Sequence, residues 1–365
     1  MTANYNMKKL LRNKLIVEQL DQMPIFRELL KDYQENLPFK DLQIIISHVL
    51  VPNTIPLIAC IMIGGGKILV TNSSSVNNND VIDILRSAGV EVRLNYYKAT
   101  DYDYAIDVGG TFSKKPPKFG IAEVTRSGYH EYAKNGVKQV IINVDDSKIK
   151  LLETFFGNPK SVLRGIKQFL GEPETFLKEK ELTIIGFGKI GRGIARLFQK
   201  YCDINVCDIN SEILAKAQKL GFKTYLITDN KKLNSDFLIE TDIVMTCTGF
   251  SQTMTKYFMK SALLGKLLIN LGAVDEFGSD YTSEEVFMSK DRPFNFNLNP
   301  PTENHYIDAI LAGHVEGLRY LVTNNLSSGI HPLPKNIDEK LLIKFKEHNN
   351  ENISDMYRYF DFDRI

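Results

Sequence analysis

Apolar residues in the first part of the chain recur at helical spacing. Leu10, Leu11, Leu15, Ile16, Leu20 and Met23 within Met7–Tyr33 predict one or two amphipathic helices. From Leu42 the pattern changes to short apolar runs separated by helical stretches. Leu42–Ser47, Lys67–Thr71, Val90–Leu94, Tyr104–Val108 and Val140–Val144 read as strands, with Asn72–Asp80 as a turn-like tract. This alternating block ends near Asp146. A helical stretch, Lys150–Leu170, and a charged loop, Gly171–Glu181, lead into a second series: Leu182–Gly186, Asp203–Cys207, Thr224–Leu226, Ile243–Thr246 and Leu267–Leu271. Strands alternating with helices imply βαβ units and mostly parallel sheets. From about His305 the chain is helical again, with Ile307, Ile310, Leu311, Val315, Leu318 and Leu321 on one face. The expected architecture is α/β, with two doubly wound, Rossmann-like domains and a helical C-terminal segment. No repeat of 20–50 residues is present.

Composition narrows the class. The 365 residues carry 45 Lys+Arg against 44 Asp+Glu, and this near-neutral balance removes the electrostatic reason to expect nucleic acid or an anionic membrane as partner. No apolar run reaches membrane-spanning length, and the basic stretch Met1–Leu15 is not followed by the apolar core of a signal peptide. Four scattered cysteines (Cys60, Cys202, Cys207 and Cys247) without a CxxC pair suggest buried thiols in the cytoplasm rather than disulfides or a zinc site, and no metal is expected.

The chemistry enters at Gly186-Phe187-Gly188-Lys189-Ile190-Gly191. This GxGxxG string follows an apolar strand and opens a helical run, the context a dinucleotide loop requires. Its first glycine suits a tight turn, its second the close approach of a pyrophosphate, and its third the packing of helix on strand. Asp208 ends the next strand, seventeen positions after Gly191. A carboxylate there can accept from both ribose hydroxyls and repel a 2′-phosphate, which favours NAD over NADP; an ordinary turn aspartate is the plain alternative. Thr246-Cys247-Thr248-Gly249 and Asn270-Leu271-Gly272 end two further strands on the same edge. The expected cofactor residues are therefore Gly186, Gly188, Lys189, Ile190, Gly191, Asp208, Thr246, Thr248, Gly249 and Asn270.

These motifs, together with Ile142-Asn143-Val144-Asp145-Asp146-Ser147 followed by Lys150, Glu153, Phe156 and Gly157, resemble the S-adenosylhomocysteine hydrolase family. Ser161-Val162-Leu163-Arg164-Gly165-Ile166, the extra glycine at Gly193, and Leu333-Pro334-Lys335-Asn336-Ile337-Asp338-Glu339 add to the likeness, which spans roughly residues 40–340. The resemblance implies a substrate domain at 1–155, an NAD-binding domain at 156–300, and C-terminal helices and tail, 301–365, returning to the substrate domain. It implies a homo-oligomer in one-carbon metabolism that acts on a small molecule with bound NAD. In such enzymes a ribose hydroxyl is oxidised, a thiol leaves, water adds and the ketone is reduced again. Carried over, His48 is an acid or base for the leaving or entering group, Asp107 and Glu123 hold sugar hydroxyls or move protons, and Lys150 and Glu153 flank the hydroxyl being oxidised.

Each of these residues also has a plain reading. His48 suits a core histidine, Asp107 a turn and Glu123 a loop acid, while Lys150 and Glu153 make an i,i+3 helix pair. His305 and His314, on the apolar C-terminal helix, read as structural, and Tyr357, Tyr359, Phe360 and Phe362 as a packed tail. The sequence also departs from the family. Ala273 stands where it has a histidine after the asparagine-x-glycine turn, and Leu50 and Pro52 stand at its adenine-recognition positions. The Lys–acid spacing is one residue short, and the family's Lys/Tyr tail is not recognisable. An NAD-dependent dehydrogenase on a different nucleoside, sugar or amino-acid-derived alcohol, or a catalytically silent NAD-binding regulator, are therefore the alternatives.

Overall fold

A computed structural model describes residues 5–360 of the chain, apart from the side chains of residues 74–76; Met1 at the basic N-terminus and Phe362 in the tail lie outside the described residues. The described residues form twelve strands. In chain order these are β1 (Gln43–Leu50), β2 (Lys67–Asn77), β3 (Glu91–Val92), β4 (Tyr104–Asp107), β5 (Gly120–Glu123), β6 (Val140–Asn143), β7 (Glu181–Ile185), β8 (Asp203–Asp208), β9 (Lys223–Leu226), β10 (Ile243–Thr246), β11 (Leu267–Asn270) and β12 (Gly329–Pro332). They make two parallel sheets, ordered β12-β6-β5-β4-β1-β2-β3 and β11-β10-β7-β8-β9. The chain divides into two compact units: residues 5–152 with 304–352, and residues 153–303 with 353–360. The C-terminal tail is thus shared between the units.

In the first unit the strand order reverses at β1, which has β2 on one side and β4 on the other. Ligands of doubly wound sheets bind at such a switch point, beyond the carboxyl ends of the strands. The N-terminal segment forms three helices rather than one or two: Met7–Leu11, Lys14–Asp21 and Pro24–Asn36. Asn13 separates the first two by capping the second, accepting from Leu15 N at 2.9 Å, and Pro24 starts the third. The tract from Asn72 is not a turn as far as Asn77. It continues β2 beside β1, with a bulge that shifts the register between His48 (opposite Asn72) and Leu50 (opposite Asn77), and Asn78 then ends the strand by capping the next helix through Val81 N. β5 and β12 have no counterpart among the expected strands. Helix Asn304–Thr323 lies against this sheet, with Leu321 over Gly120 and Gly317 against Ile142. Asp308 on that helix accepts from Ile25 N and Phe26 N at 2.9 and 3.1 Å and so fixes the start of the third N-terminal helix.

In the second unit the order reverses at β7, and the loop after β7 leads into helix Lys189–Phe198. Residues from Lys150 to Phe169 are helical, with a π-helical turn at Leu152–Gly157. The tail residues Tyr359 and Phe360 pack on Phe155, with ring centroids 5.2 Å apart in both pairs. Arg192 donates to the Tyr359 carbonyl at 2.7 Å. Among the described residues no helix is long and apolar enough to cross a membrane.

Candidate functional site

In the second unit, the glycine loop has a different steric demand at each position. Gly186 has φ +98°, and a Cβ there would lie 2.9 Å from the Cys247 carbonyl oxygen. At Gly191 a Cβ would lie 2.0 Å from the Gly186 carbonyl oxygen, and at Gly193 it would lie 2.6 Å from the Phe155 carbonyl oxygen. Those two glycines are packing glycines, and Gly193 explains the extra glycine of the motif. Gly188 differs: it is exposed, and a Cβ would meet nothing within 4 Å. A cradle open at that one position, at the N-cap of a helix whose first turn leaves N–H groups without intrahelical partners, fits a pyrophosphate. Lys189 and Ile190, half-buried, form that first turn.

Asp208 ends β8 half-buried, accepting from Phe187 N at 2.8 Å and Asn210 N at 2.9 Å. It ties the glycine loop to the strand end where a ribose would sit, with carboxylate lone pairs to spare. Thr246 and Asn270 are fully buried, and their side chains serve the fold. Asn270 accepts from Gly272 N at 3.0 Å and Thr246 Oγ1 at 3.3 Å and donates to the carbonyls of Val274 and Lys290. Thr248 and Gly249 are bound by a residue that the motifs did not single out. The buried Glu276 carboxylate accepts from Thr248 N and Oγ1, both at 2.9 Å, and from Gly249 N at 2.6 Å. Burial raises its pKa. Gly272 must lack a side chain because a Cβ would lie 2.0 Å from Glu276 Oε1. The signal was the acid four residues beyond that glycine.

In the first unit, the ends of three neighbouring strands, β1, β4 and β5, lie at the switch point. Ser47 donates to Thr111 Oγ1 at 2.9 Å, and Thr54 Oγ1 donates to the carbonyls of Val49 and Val51, fixing the turn after β1. His48, 6% exposed, has Nδ1 3.3 Å from the Val49 carbonyl oxygen, while Nε2 has no hydrogen-bond partner. Asp107 and Glu123 lie side by side in the register of β4 and β5, both fully buried. Asp107 accepts from Val108 N, Phe112 N and the Tyr132 hydroxyl. Glu123 accepts from the backbone N–H groups of Gly109, Gly110, Val124 and Thr125 at 2.8–3.2 Å and from Thr125 Oγ1 at 2.6 Å. Burial pushes Asp107 up to about 6, and burial with the Asp107 charge pushes Glu123 up to about 8, against the pull of these donors. Both carboxylates are thus engaged by the chain itself. A Cβ at Gly128 would lie 2.1 Å from the Glu123 carboxyl, so that glycine makes room for it.

Lys150 is 7% exposed and belongs to the first unit, whereas Glu153 is half-buried and belongs to the second. Asp338, from the Leu333–Glu339 motif, positions the segment before Lys150 by accepting from Lys148 N at 2.8 Å and Ile149 N at 3.0 Å. The Lys150 charge acts on two buried imidazoles. Burial, then Lys150, holds His48 down to about 4 against the Val49 carbonyl, and burial with His48 and Lys150 holds His314 at about 3.

The fold and site thus define a protein of two doubly wound α/β units, one with a glycine loop open at Gly188 and the other with a buried His–Lys cluster. No family model matches the chain. It is 27% identical over 302 residues to an adenosylhomocysteinase of Thermococcus kodakarensis, covering 74% of this chain and 69% of that protein. It is 21% identical over 372 residues to an S-inosyl-L-homocysteine hydrolase of Methanosarcina mazei, covering 87% and 88% respectively. The fold is also similar to that of a dipicolinate synthase component from Bacillus halodurans, with a TM-score of 0.50 and 10% identity over 76% of this chain and 99% of that one. At this level of identity the chain is similar to the adenosylhomocysteinases and S-inosyl-L-homocysteine hydrolases, as a divergent sequence.

Proposed function

We propose that the chain is an NAD-dependent enzyme of the adenosylhomocysteine-hydrolase type, oxidising a secondary hydroxyl of a nucleoside thioether on the way to cleaving its C–S bond. The observation that carries this reading is the open position beside Gly188, framed by two packing glycines and by Asp208 at the next strand end. NAD, when bound, supplies the hydride acceptor. The chain's own groups do the rest. The first turn of helix Lys189–Phe198 offers N–H donors to the pyrophosphate, and Asp208 takes the ribose diol and repels a 2′-phosphate. The Lys150 ammonium favours loss of a proton from the substrate hydroxyl, with Glu153 orienting that hydroxyl, and the His48 lone pair receives or returns a proton at the thiol or water side. Asp107 and Glu123 hold the loop after β4 that shapes this end of the site. A cytoplasmic homo-oligomer in one-carbon metabolism accords with this reading.

The test is to incubate the NAD-loaded protein with S-adenosylhomocysteine and with S-inosylhomocysteine, following free thiol and NADH absorbance together. Thiol release with NAD retained supports the proposal. A second reading, a dehydrogenase on a different alcohol, is favoured by the buried Leu50 and Pro52 at the adenine-recognition positions. It predicts stoichiometric NADH without thiol. NAD that binds and is never reduced indicates the regulator.

A further inference from the structure

His314 lies on helix Asn304–Thr323, fully buried, with its ring centroid 5.9 Å from that of His48. The partners of each ring decide where its proton sits. A carbonyl oxygen can only accept, so His48 Nδ1, facing the Val49 carbonyl at 3.3 Å, carries hydrogen and leaves Nε2 with a lone pair. By the same argument His314 Nε2, 2.8 Å from the Ala122 carbonyl oxygen, carries hydrogen and leaves Nδ1 with a lone pair. The Asp107 carbonyl also bears on the His314 ring, but Nδ1 makes no hydrogen bond. Two acceptor nitrogens are thus buried on neighbouring rings, and neither has a donor. Leaving such groups unpaired costs free energy, so the arrangement calls for a donor from outside the chain.

We propose that His314 and His48 form a paired acceptor site for an O–H donor at the carboxyl edge of the first sheet, with His314 as a positioning residue for the acid–base work of His48. Water can donate to both nitrogens, whereas a substrate hydroxyl, with one hydrogen, donates to one of them. A water donating two hydrogen bonds of about 2.8 Å at its own bond angle bridges acceptors about 4.5 Å apart, a span open to nitrogens on rings whose centroids are 5.9 Å apart. An ammonium donor is disfavoured because the Lys150 charge already bears on both rings. Burial and that charge keep both imidazoles neutral, so the incoming group must bring the hydrogen. The nearby carboxylates, Asp107 and Glu123, are engaged by internal donors and do not compete. The positioning role rests on the function proposed above; the acceptor pair does not.

Two-bond ¹H–¹⁵N spectra of the full-length protein with ¹⁵N-labelled histidine test the pair without turnover. The expected result near neutral pH is two neutral rings, His48 as the Nδ1–H and His314 as the Nε2–H tautomer, with His48→Gln and His314→Gln assigning the signals. Shifts of the bare nitrogens typical of hydrogen-bonded acceptors in the ligand-free protein identify water. The same shift at one of the two nitrogens, appearing only with S-adenosylhomocysteine or S-inosylhomocysteine, identifies a substrate hydroxyl. An imidazolium, either opposite tautomer, or bare nitrogens that stay unbonded in every condition overturns the pair. For the positioning role, His314→Gln should slow thiol release about 10–100-fold and shift its pH profile while NAD affinity holds. An unchanged pH profile in a folded variant refutes that role. Loss of NAD binding in the parent refutes the proposed function and leaves the spectra to judge the pair.

Discussion

The glycine loop makes opposite predictions for two substitutions three residues apart. At Gly188 φ is −73°, which alanine adopts freely, and the new methyl meets no protein atom within 4 Å. Its effect on stability should be that of an N-cap change, at most about 1 kcal/mol. The methyl would instead occupy the space a pyrophosphate needs, and a loss of about 10–100-fold in NAD affinity, roughly 1.4–2.8 kcal/mol, is expected. At Gly191 the methyl would lie 2.0 Å from the Gly186 carbonyl oxygen and 3.1 Å from Cys247 Sγ. That oxygen belongs to a residue at φ +98° and accepts from the Cys247 thiol, so it cannot yield without undoing the turn. Overpacking of this kind costs about 3 kcal/mol, or a fall of about 6–12 °C in Tm for a unit of this size. Scanning calorimetry measures the stabilities and isothermal titration the NAD affinities. A Gly188→Ala protein that binds NAD like the parent, or that loses as much stability as Gly191→Ala, refutes the assignment of the open position to the cofactor.

Three further outcomes are expected. Asp208→Ala should weaken NAD by about 1–3 kcal/mol, through lost bonds to the ribose and a freed Phe187 N–H, and titration calorimetry showing no change removes Asp208 from the site. Lys150→Met should slow NADH formation on substrate addition by about 10²–10³-fold in a single-turnover absorbance trace while NAD binding holds; a near-parental rate takes the residue out of the reaction. Because His48 is held at about 4 in the folded protein against about 6.5 unfolded, the unfolded chain takes up its proton first as pH falls. The parent should therefore lose about 1.4 kcal/mol per pH unit, between about 6.5 and 4, that His48→Gln does not lose, and parallel urea-unfolding curves across that window would contradict the burial of a neutral ring.

The long-range pattern of the fold was legible because it depends on alternation. Strand followed by helix, twice over, predicted the two parallel sheets and put the glycine loop, Asp208 and His48 at strand ends. Four-residue strands were not legible. Gly120–Glu123 opens on glycine and ends on an acid, and Gly329–Pro332 carries glycine and proline; both exist because the sheet supplies partners on neighbouring strands. The polar residues of Asn72–Asn77 read as a turn for the same reason, since the tract is held to β1 at Asn72 and Asn77, across a bulge that no local pattern encodes. At the site, residue type indicated charge but not its employment. Glu123 resembles a catalytic acid in sequence, yet donors of its own chain surround it, and the shortest bond comes from the Thr125 hydroxyl only two residues away. Asp338, Glu276 and His314 act across gaps of 28 to 192 residues, a distance that no local pattern encodes.

The division of the chain has a consequence for its synthesis. The first unit is interrupted by residues 153–303, and it is completed only when helix Asn304–Thr323 and β12 arrive. At about 5–20 residues per second, the ribosome takes roughly 8–30 s to produce the intervening stretch. For that interval the sheet of β1–β6 lacks the helix whose Leu321 and Gly317 lie against Gly120 and Ile142, and the β6 edge lacks its partner. The second unit, contiguous except for its short tail segment, can close meanwhile. The order of folding on the ribosome is therefore inverted relative to the order of translation, and the early-made sheet is the part of the molecule with most need of a chaperone.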